Sequence, residues 1–423
     1  MPNPTTPPSP TSSRARSAGA ARSRRSASAP SSSPPDRSSR PRPTAPPGAT
    51  ATGAAGARPS SRSSRTSSTS SWSPPATPTA WSCGGGDPVE DGAPPFDVDA
   101  QTPDAQAKQF GYNCDFIGWL PLGERKALLV VNHEYTDEQL MFAGVADEEG
   151  AGDIPDEQKR IAVMVHGISV VQVHRVGRTG EWRATPERDR NRRITTETTF
   201  HLTGPAAGSE YLRTSAHPEG RTVLGTLNNC AGGVTPWGTT LHGEENFNQY
   251  FGTTAPISDA TQLAALRRYG VGPEDVPTRR WHTVDPRFDL SKEPNEVNRF
   301  GWVVEVDPYD PTSTPRKHTA LGRFKHEGAD VQIATDGRVV AYSGDDERFD
   351  YIYKFVSGKK YREGHDRATR QHNMTLLEDG DLYVARFTGD SRPRRSTGAV
   401  ACPRTASSTA PASGSRWSST ASR

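Results

Sequence analysis

Between residues 87 and 390 the chain alternates short apolar runs with dense turn punctuation. The runs Ala127 to Val131, Ile168 to Val176, Leu224 to Leu227, Gly301 to Val306, Val339 to Tyr342, Tyr351 to Val356 and Asp381 to Phe387 are rich in β-branched and aromatic residues, which predicts strands. Asp336-Gly337, Asp379-Gly380, Gly177 to Gly180 and Asp307-Pro308 each stand beside such a run and predict the turns that end it. Asp156 to Val165 and Asp259 to Tyr269 look helical, but two helices are too few for repeating βα units. The pattern therefore predicts an all-β fold with short helical excursions. Sandwich, barrel and propeller fit that rhythm, and the recurring pairing of an Asp-Gly turn with an aromatic strand favours a β-propeller, although no repeat period is visible.

Outside this body the apolar pattern vanishes. Of the first 80 residues, 72 are Ala, Pro, Arg, Ser or Thr, with no Lys, Glu, Leu, Ile, Val, Phe or Tyr; the same five types make up 28 of the 33 residues from 391 to 423. Neither end carries enough apolar surface to offset the entropy of ordering it, which predicts disorder. A second reading is translation out of frame, because a shifted frame in a GC-rich gene favours these residue types and because the switches near Gly84 to Gly86 and near Ser391 are abrupt. The chain thus divides into a low-complexity segment 1–86, a β body 87–390 and a low-complexity tail 391–423.

The formal charge of +2 conceals this division, since the first 80 residues carry +10, the tail +6 and the 310 residues between them −14. An acidic body excludes a folded nucleic-acid interface, which needs a basic face to neutralise phosphates. No run approaches the roughly 18 apolar residues of a spanning helix, so no transmembrane segment is expected. Cys83, Cys114, Cys230 and Cys402 are too few and too scattered for a disulfide framework, and none forms a CxxC pair. The Arg24-Arg25 pair is followed only by Ser, Ala and Pro where an export signal would need an apolar stretch, so no signal peptide is visible.

Polar clusters in the body supply candidate chemistry. Asn113-Cys114-Asp115 and Asn132-His133-Glu134-Tyr135 are the first, the second directly after an apolar strand. His133-Glu134 is not the HExxH zinc motif, because the second His is missing and the segment follows a strand where that motif needs a helix. The run Asn228-Asn229-Cys230-Ala231-Gly232-Gly233 leads to Glu244-Glu245-Asn246. Adjacent carboxylates repel unless a cation compensates them; in a loop both could converge on a metal, whereas on a strand they point to opposite faces and only one can. Carboxylates suit calcium, and a thiolate among carboxylates can hold a transition metal. Arg323-Phe324-Lys325-His326-Glu327-Gly328 adds two cations, and Asp345-Asp346-Glu347 three acids. Many carboxylates for cations together with Arg and Lys for an anion are what metal-assisted phosphoryl transfer requires. Solvated strand ends and charged turns are the competing explanation for each cluster taken singly. No GxSxG elbow, Walker loop or GxGxxG after a strand is present.

These residues fall in longer ordered motifs: GYNCDFIGWLPL (Gly111 to Leu122), VVNHEYT (Val130 to Thr136), GTLNNCAGGVTPWGTTL followed by EENF (Gly225 to Phe247), EPNEVNRFGWVVEVDP (Glu293 to Pro308), LGRFKHEGA (Leu321 to Ala329) and YSGDDERFDYIYKF (Tyr342 to Phe355). Through them the body resembles the PhoX-type secreted alkaline phosphatases. The resemblance implies a β-propeller metalloenzyme that hydrolyses phosphate monoesters with calcium and iron, serves phosphate acquisition, acts as a monomer, and is exported folded by the twin-arginine (Tat) route to the periplasm or beyond the cell. It further implies Cys114 as an iron thiolate ligand, Glu134, Glu244, Glu245 and Glu327 as carboxylate ligands, and Arg323 or Lys325 as the phosphate contact. Cys230 could also be a ligand, but a buried free thiol is the simpler expectation for it.

Two departures from the family stand out. The signal peptide has no counterpart in residues 1–82, and the Ser/Arg/Ala tail begins where family members continue into further blades and acidic ligands. The expectation is therefore a truncated member that is unstable or inactive as a polypeptide, since missing blades leave sheet edges open. The alternative from another class is a non-enzymatic calcium-binding propeller scaffold, which would need neither the thiolate nor the Arg323 and Lys325 cations.

Overall fold

The computed structural model describes residues 83–145, 153–178, 180–185, 188–272, 277–364 and 366–386, and the backbone of 416–419. All of these belong to one unit, Pro74–Arg423. The expectations for residues 1–82 and for most of the C-terminal tail lie outside the described residues.

Three sheets make up the body. In the first, β1 (Cys114–Pro121), β2 (Lys126–His133), β3 (Gly167–Arg175) and β4 (Trp182–Ala184) lie in chain order, and β5 (Arg192–Ile194) also pairs with β3. The second contains β6 (Thr199–Thr203), β7 (Thr222–Leu224), β8 (Asn229–Val234), β9 (Thr240–Glu244), β10 (Val303–Val306) and β11 (Arg316–His318), arranged β7-β6-β11-β10-β9-β8. The third holds β12 (Asp330–Ile333), β13 (Arg338–Gly344), β14 (Ile352–Lys360), β15 (Gly380–Arg386) and β16 (Arg416–Ser419) in chain order. Every pairing is antiparallel except β6 with β11. The described residues are mostly β with few helices, as the apolar pattern predicts, and no sheet closes on itself.

The second sheet is the shared wall. On one side Phe200 and Val304 pack with Leu128, Val130, Ile168 and Val170 of the first sheet and with Phe247, Tyr250 and Trp281. On the other, Leu241 and Val303 pack with Val331, Val339, Ala341 and Phe355 of the third. Each fully buried Val, Leu, Ile or Phe among them contributes roughly 1.5–3 kcal/mol by leaving water. Strand β8 lies against β1 on one side and β12 on the other, so all three sheets meet along it.

The apolar runs correspond to β2, β3, β10, β13, β14 and β15, and the helices Asp156–Val165 and Ala260–Arg268 fall where the spacing puts them, the second capped by Asp259. Leu224 to Leu227 is an exception. The strand there ends at Leu224, because Gly225 takes φ +85° and the Thr226 hydroxyl turns inward to donate to Glu244 Oε1 at 2.8 Å. Among the described residues no helix is long and apolar enough to cross a membrane.

Candidate metal centre

The ends of four strands and one loop converge where the sheets meet. Asp115 sits near the start of β1, where the register slips between Cys114 and Ile117. Glu134 follows β2 directly, its amide donating to Asn113 O at 3.1 Å. Cys230 occupies the irregular start of β8, between Asn229 and Gly232 in the pairing with β9. Glu245 follows the last residue of β9, and Glu327 lies between β11 and β12, its amide donating to Gly344 O at 3.2 Å. The close approach of that loop to β9 depends on Gly243, where a Cβ would fall 2.2 Å from His326 O.

Ligand atoms of Asp115, Glu134 and Cys230 lie within 4.8 Å of one another, as do those of Cys230, Glu245 and Glu327. Cys230 is therefore common to both groups. Its thiol also stands 3.6 Å from Asp115 Oδ2. Its backbone is held from the first sheet, because the buried Asn132 Nδ2 donates to Cys230 O. The Asn132 amide is oriented in turn by His242 Nδ1 against Asn132 Oδ1 at 2.6 Å. Burial lowers the pKa of His242 to about 3 and keeps the ring neutral, so one ring nitrogen donates to Asn132 and the other accepts from Thr240.

Electrostatically the acids of the cluster outweigh its nearest cation, Lys325. Burial, with Asp115 and Glu327 nearby, raises the Glu134 carboxyl to about 7. Burial, with Asp346, Glu134 and Glu327 nearby, raises Glu245 to about 8, against the opposing pull of Lys325. Burial, with Glu134, Asp115 and Glu327 nearby, pushes the Cys230 thiol up as well. Glu245 is 2% exposed, and its Oε1 is buried without a hydrogen-bond partner. A buried carboxylate oxygen with no donor, facing a thiol and other acids, is an arrangement that a cation satisfies and that water-free packing does not. Oxygen and sulfur donors in this proportion fit metal ions, so the residues present suit the kind of group that the sequence motifs imply.

The structure sorts the sequence-predicted residues. Glu134, Glu245 and Glu327 come together. Cys114 and Glu244 do not enter either group. Cys114 is exposed, and although it directly precedes Asp115 at the irregular start of β1, its thiol lies outside both groups. Glu244 is fully buried on the other side of the backbone from Glu245. Its Oε1 accepts from Lys317 Nζ at 2.6 Å and from Thr226, and its Oε2 accepts from the amides of Gly301 and Trp302 at 3.0 and 3.2 Å. A carboxylate with both oxygens so occupied holds the fold and has no lone pair directed to a metal.

Of the two predicted phosphate contacts, Arg323 is tied into the structure. It donates to Phe300 O and Val297 O at 2.8 and 2.7 Å and stacks over Phe247 and Tyr269 at 4.7 and 4.1 Å. Lys325 instead reaches Glu347, Nζ to Oε2 at 2.6 Å, on the loop that also carries Asp346. Its charge is felt at Glu245, which makes it the better-placed cation. Sequence reasoning assigned no role to Asp115, and it weighed Cys230 as a ligand but preferred a buried free thiol. The signals that mark them are the carboxylate directly after Cys114 and the glycines after Cys230, which let neighbouring backbone approach.

A family model described as "Alkaline phosphatase PhoX" matches residues 81–416. Among solved structures, "Pseudomonas fluorescens PhoX in complex with vanadate, a transition state analogue" is 43% identical and superposes with a TM-score of 0.66, the match covering 74% of this chain and 52% of that one. The chain thus spans about half the length of that solved relative. No curated protein matches the chain. With most of its length matched by the family model and its fold shared with a solved PhoX at this identity, the chain belongs to the alkaline phosphatase PhoX family.

Proposed function

We propose that the centre binds metal ions and serves the hydrolysis of phosphate monoesters. The observation that carries this is the thiol of Cys230 set between two groups of carboxylates, with Glu245 Oε1 buried and unpaired. Cys230, Asp115 and Glu134 would hold a transition metal such as iron, and Glu245 and Glu327 a harder ion such as calcium; the identity of both metals rests on the family resemblance. When bound, such ions supply Lewis-acid polarisation of a phosphoryl oxygen. Lys325 would balance charge on the incoming phosphate, in competition with Glu347. Asn246 steadies Glu245, its Nδ2 donating to Glu245 Oε2 and to the Tyr135 hydroxyl at 3.0 Å. The vanadate complex of the solved relative supports a phosphoryl-transfer site, because vanadate was bound there as a transition-state analogue.

The three sheets meeting along β8 accord with part of a β-propeller, and export to an extracytoplasmic compartment follows from the family resemblance. A calcium scaffold without catalysis is the lesser reading, because calcium has no use for a thiolate. The test is metal content and release of phosphate from a chromogenic monoester by the purified 423-residue chain, with and without chelator. Metal-dependent turnover that Cys230→Ser abolishes supports the reading. Metal binding with no turnover favours the scaffold, and the same assay decides the expectation of an inactive polypeptide.

A further inference from the structure

Asn228 is buried and carries no ligand atom of the metal groups, yet it touches the backbone of two segments that do. Its Nδ2 donates to Glu134 O at 3.2 Å, and its Oδ1 accepts from the amide of Asn246 at 2.5 Å. Its own carbonyl accepts from the amide of Glu245 at 3.0 Å. It stands two residues before Cys230 and takes φ +48°, a left-handed conformation that Asn tolerates better than most residues. Glu134 from the first sheet, Cys230 at the start of β8 and Glu245 after β9 are thus linked through one side chain and its peptide.

The orientation of that amide is itself fixed. His166 Nδ1 lies 3.2 Å from Ala162 O, which can only accept, so Nδ1 carries the proton. The buried ring is neutral, and its Nε2 therefore accepts from the Tyr250 hydroxyl at 2.9 Å. With its proton given to His166, the Tyr250 oxygen accepts from Asn228 Nδ2 at 3.2 Å. The chain Ala162–His166–Tyr250–Asn228 leaves the amide one orientation in which every donor has an acceptor, with NH2 toward Glu134 and oxygen toward Asn246.

The geometry points to Asn228 as a positioning residue that sets the separation of Glu134, Cys230 and Glu245, with Tyr250 and His166 holding its amide. This rests on the metal-centre reading above and adds to it the residue that gives the donors a fixed spacing before any cation arrives. Partners of this kind typically influence metal affinity by 10–100-fold.

Asn228→Gly tests the idea, since glycine accepts the same positive φ and removes only the amide. The full chain is stripped with chelator and titrated with calcium by calorimetry, and urea unfolding of the metal-free form is followed alongside. The expected result is calcium binding about 10–100-fold weaker than in the wild type. Tyr250→Phe, which removes a single hydroxyl, should weaken binding less and in the same direction. A merely structural role would lower the urea midpoint and leave the folded protein's calcium affinity at the wild-type value, which overturns the proposal. If Asn228→Gly does not fold, Tyr250→Phe decides alone by the same criterion. Phosphate release from the same samples separates the two levels of inference. A wild type that binds calcium without hydrolysing esters overturns the phosphatase reading and leaves the affinity comparison standing; a wild type that binds no calcium overturns both.

Discussion

Adjacent glutamates with opposite duties give the sharpest prediction. Glu244 and Lys317 form an ion pair at 2.6 Å in which both side chains are 0% exposed. Lys317 Nζ also donates to Arg299 O at 3.0 Å and lies 4.0 Å from the Phe300 ring centre. Glu244→Gln keeps the shape but leaves the ammonium buried without its counter-charge. Breaking a buried pair from one side costs about 3–5 kcal/mol, a large share of a typical stability of about 5–15 kcal/mol. With a urea slope of about 3 kcal/mol/M for a body of this size, the midpoint should fall by about 1–2 M. Glu245→Gln removes a carboxylate that burial and neighbouring acids already disfavour, so metal-free stability should hold or rise while calcium binding weakens. Adding Lys317→Met to Glu244→Gln should recover part of the loss, because the double variant leaves no uncompensated charge. The assay is urea unfolding in chelator with calcium titration of each folded variant. If Glu244→Gln unfolds at the wild-type midpoint yet loses calcium, Glu244 is a ligand and the assignment made from its hydrogen bonds is wrong.

Three further outcomes follow from the same geometry. Cys230→Ser should remove bound transition metal, measured by elemental analysis, whereas Cys114→Ser should leave it unchanged; equal loss in both would reject the choice of Cys230. In chelator, stability should fall as pH rises from about 5 to about 9. The folded-state carboxyls of Glu134 and Glu245, raised to about 7 and about 8, hold protons that the unfolded chain has already released, and saturating metal should flatten that slope. A flat metal-free profile would mean that these acids are not crowded. Gly243→Ala places a methyl 2.2 Å from His326 O and should cost about 1–3 kcal/mol while displacing Glu327, read as a lowered urea midpoint together with weaker calcium binding.

Much of the fold is legible in sequence wherever burial is two-sided. β2 and β3 are continuous apolar runs because both faces are covered, and the run itself announces the strand. Partly exposed strands are legible too where β-branched and aromatic residues are dense, as in β14, but strands broken by glycine or opened by polar residues escape notice. β1 reads Cys-Asp-Phe-Ile-Gly-Trp-Leu-Pro with only Gly118 and Leu120 buried, and β8 reads Asn-Cys-Ala-Gly-Gly-Val, which single-sequence propensity assigns to a loop. Those two strands bring Asp115 and Cys230 together, so the elements hardest to predict are the ones that build the centre. Their weak propensity is offset by neighbours: Phe116 packs edge-on against His242, and Asn132 ties β2 to the backbone of Cys230.

The site shows where local pattern stops being decisive. Glu244 and Glu245 are chemically identical and adjacent, and strand alternation requires that at most one face the acids while β9 continues. Which one does so depends on partners distant in the chain. Lys317, brought alongside through β10 and β11, the Thr226 hydroxyl and the amides of Gly301 and Trp302 take all the lone pairs of Glu244, so Glu245 is left facing Cys230. The same reasoning separates the thiols. Cys114 and Asp115 are neighbours at the irregular start of β1, and Asp115 is the one that comes within reach of β8, whose own irregular start presents Cys230 there. A carboxylate on one strand facing a thiol on the other offers a metal both donor types, whereas two thiols facing each other across the same gap would offer a route to oxidation instead.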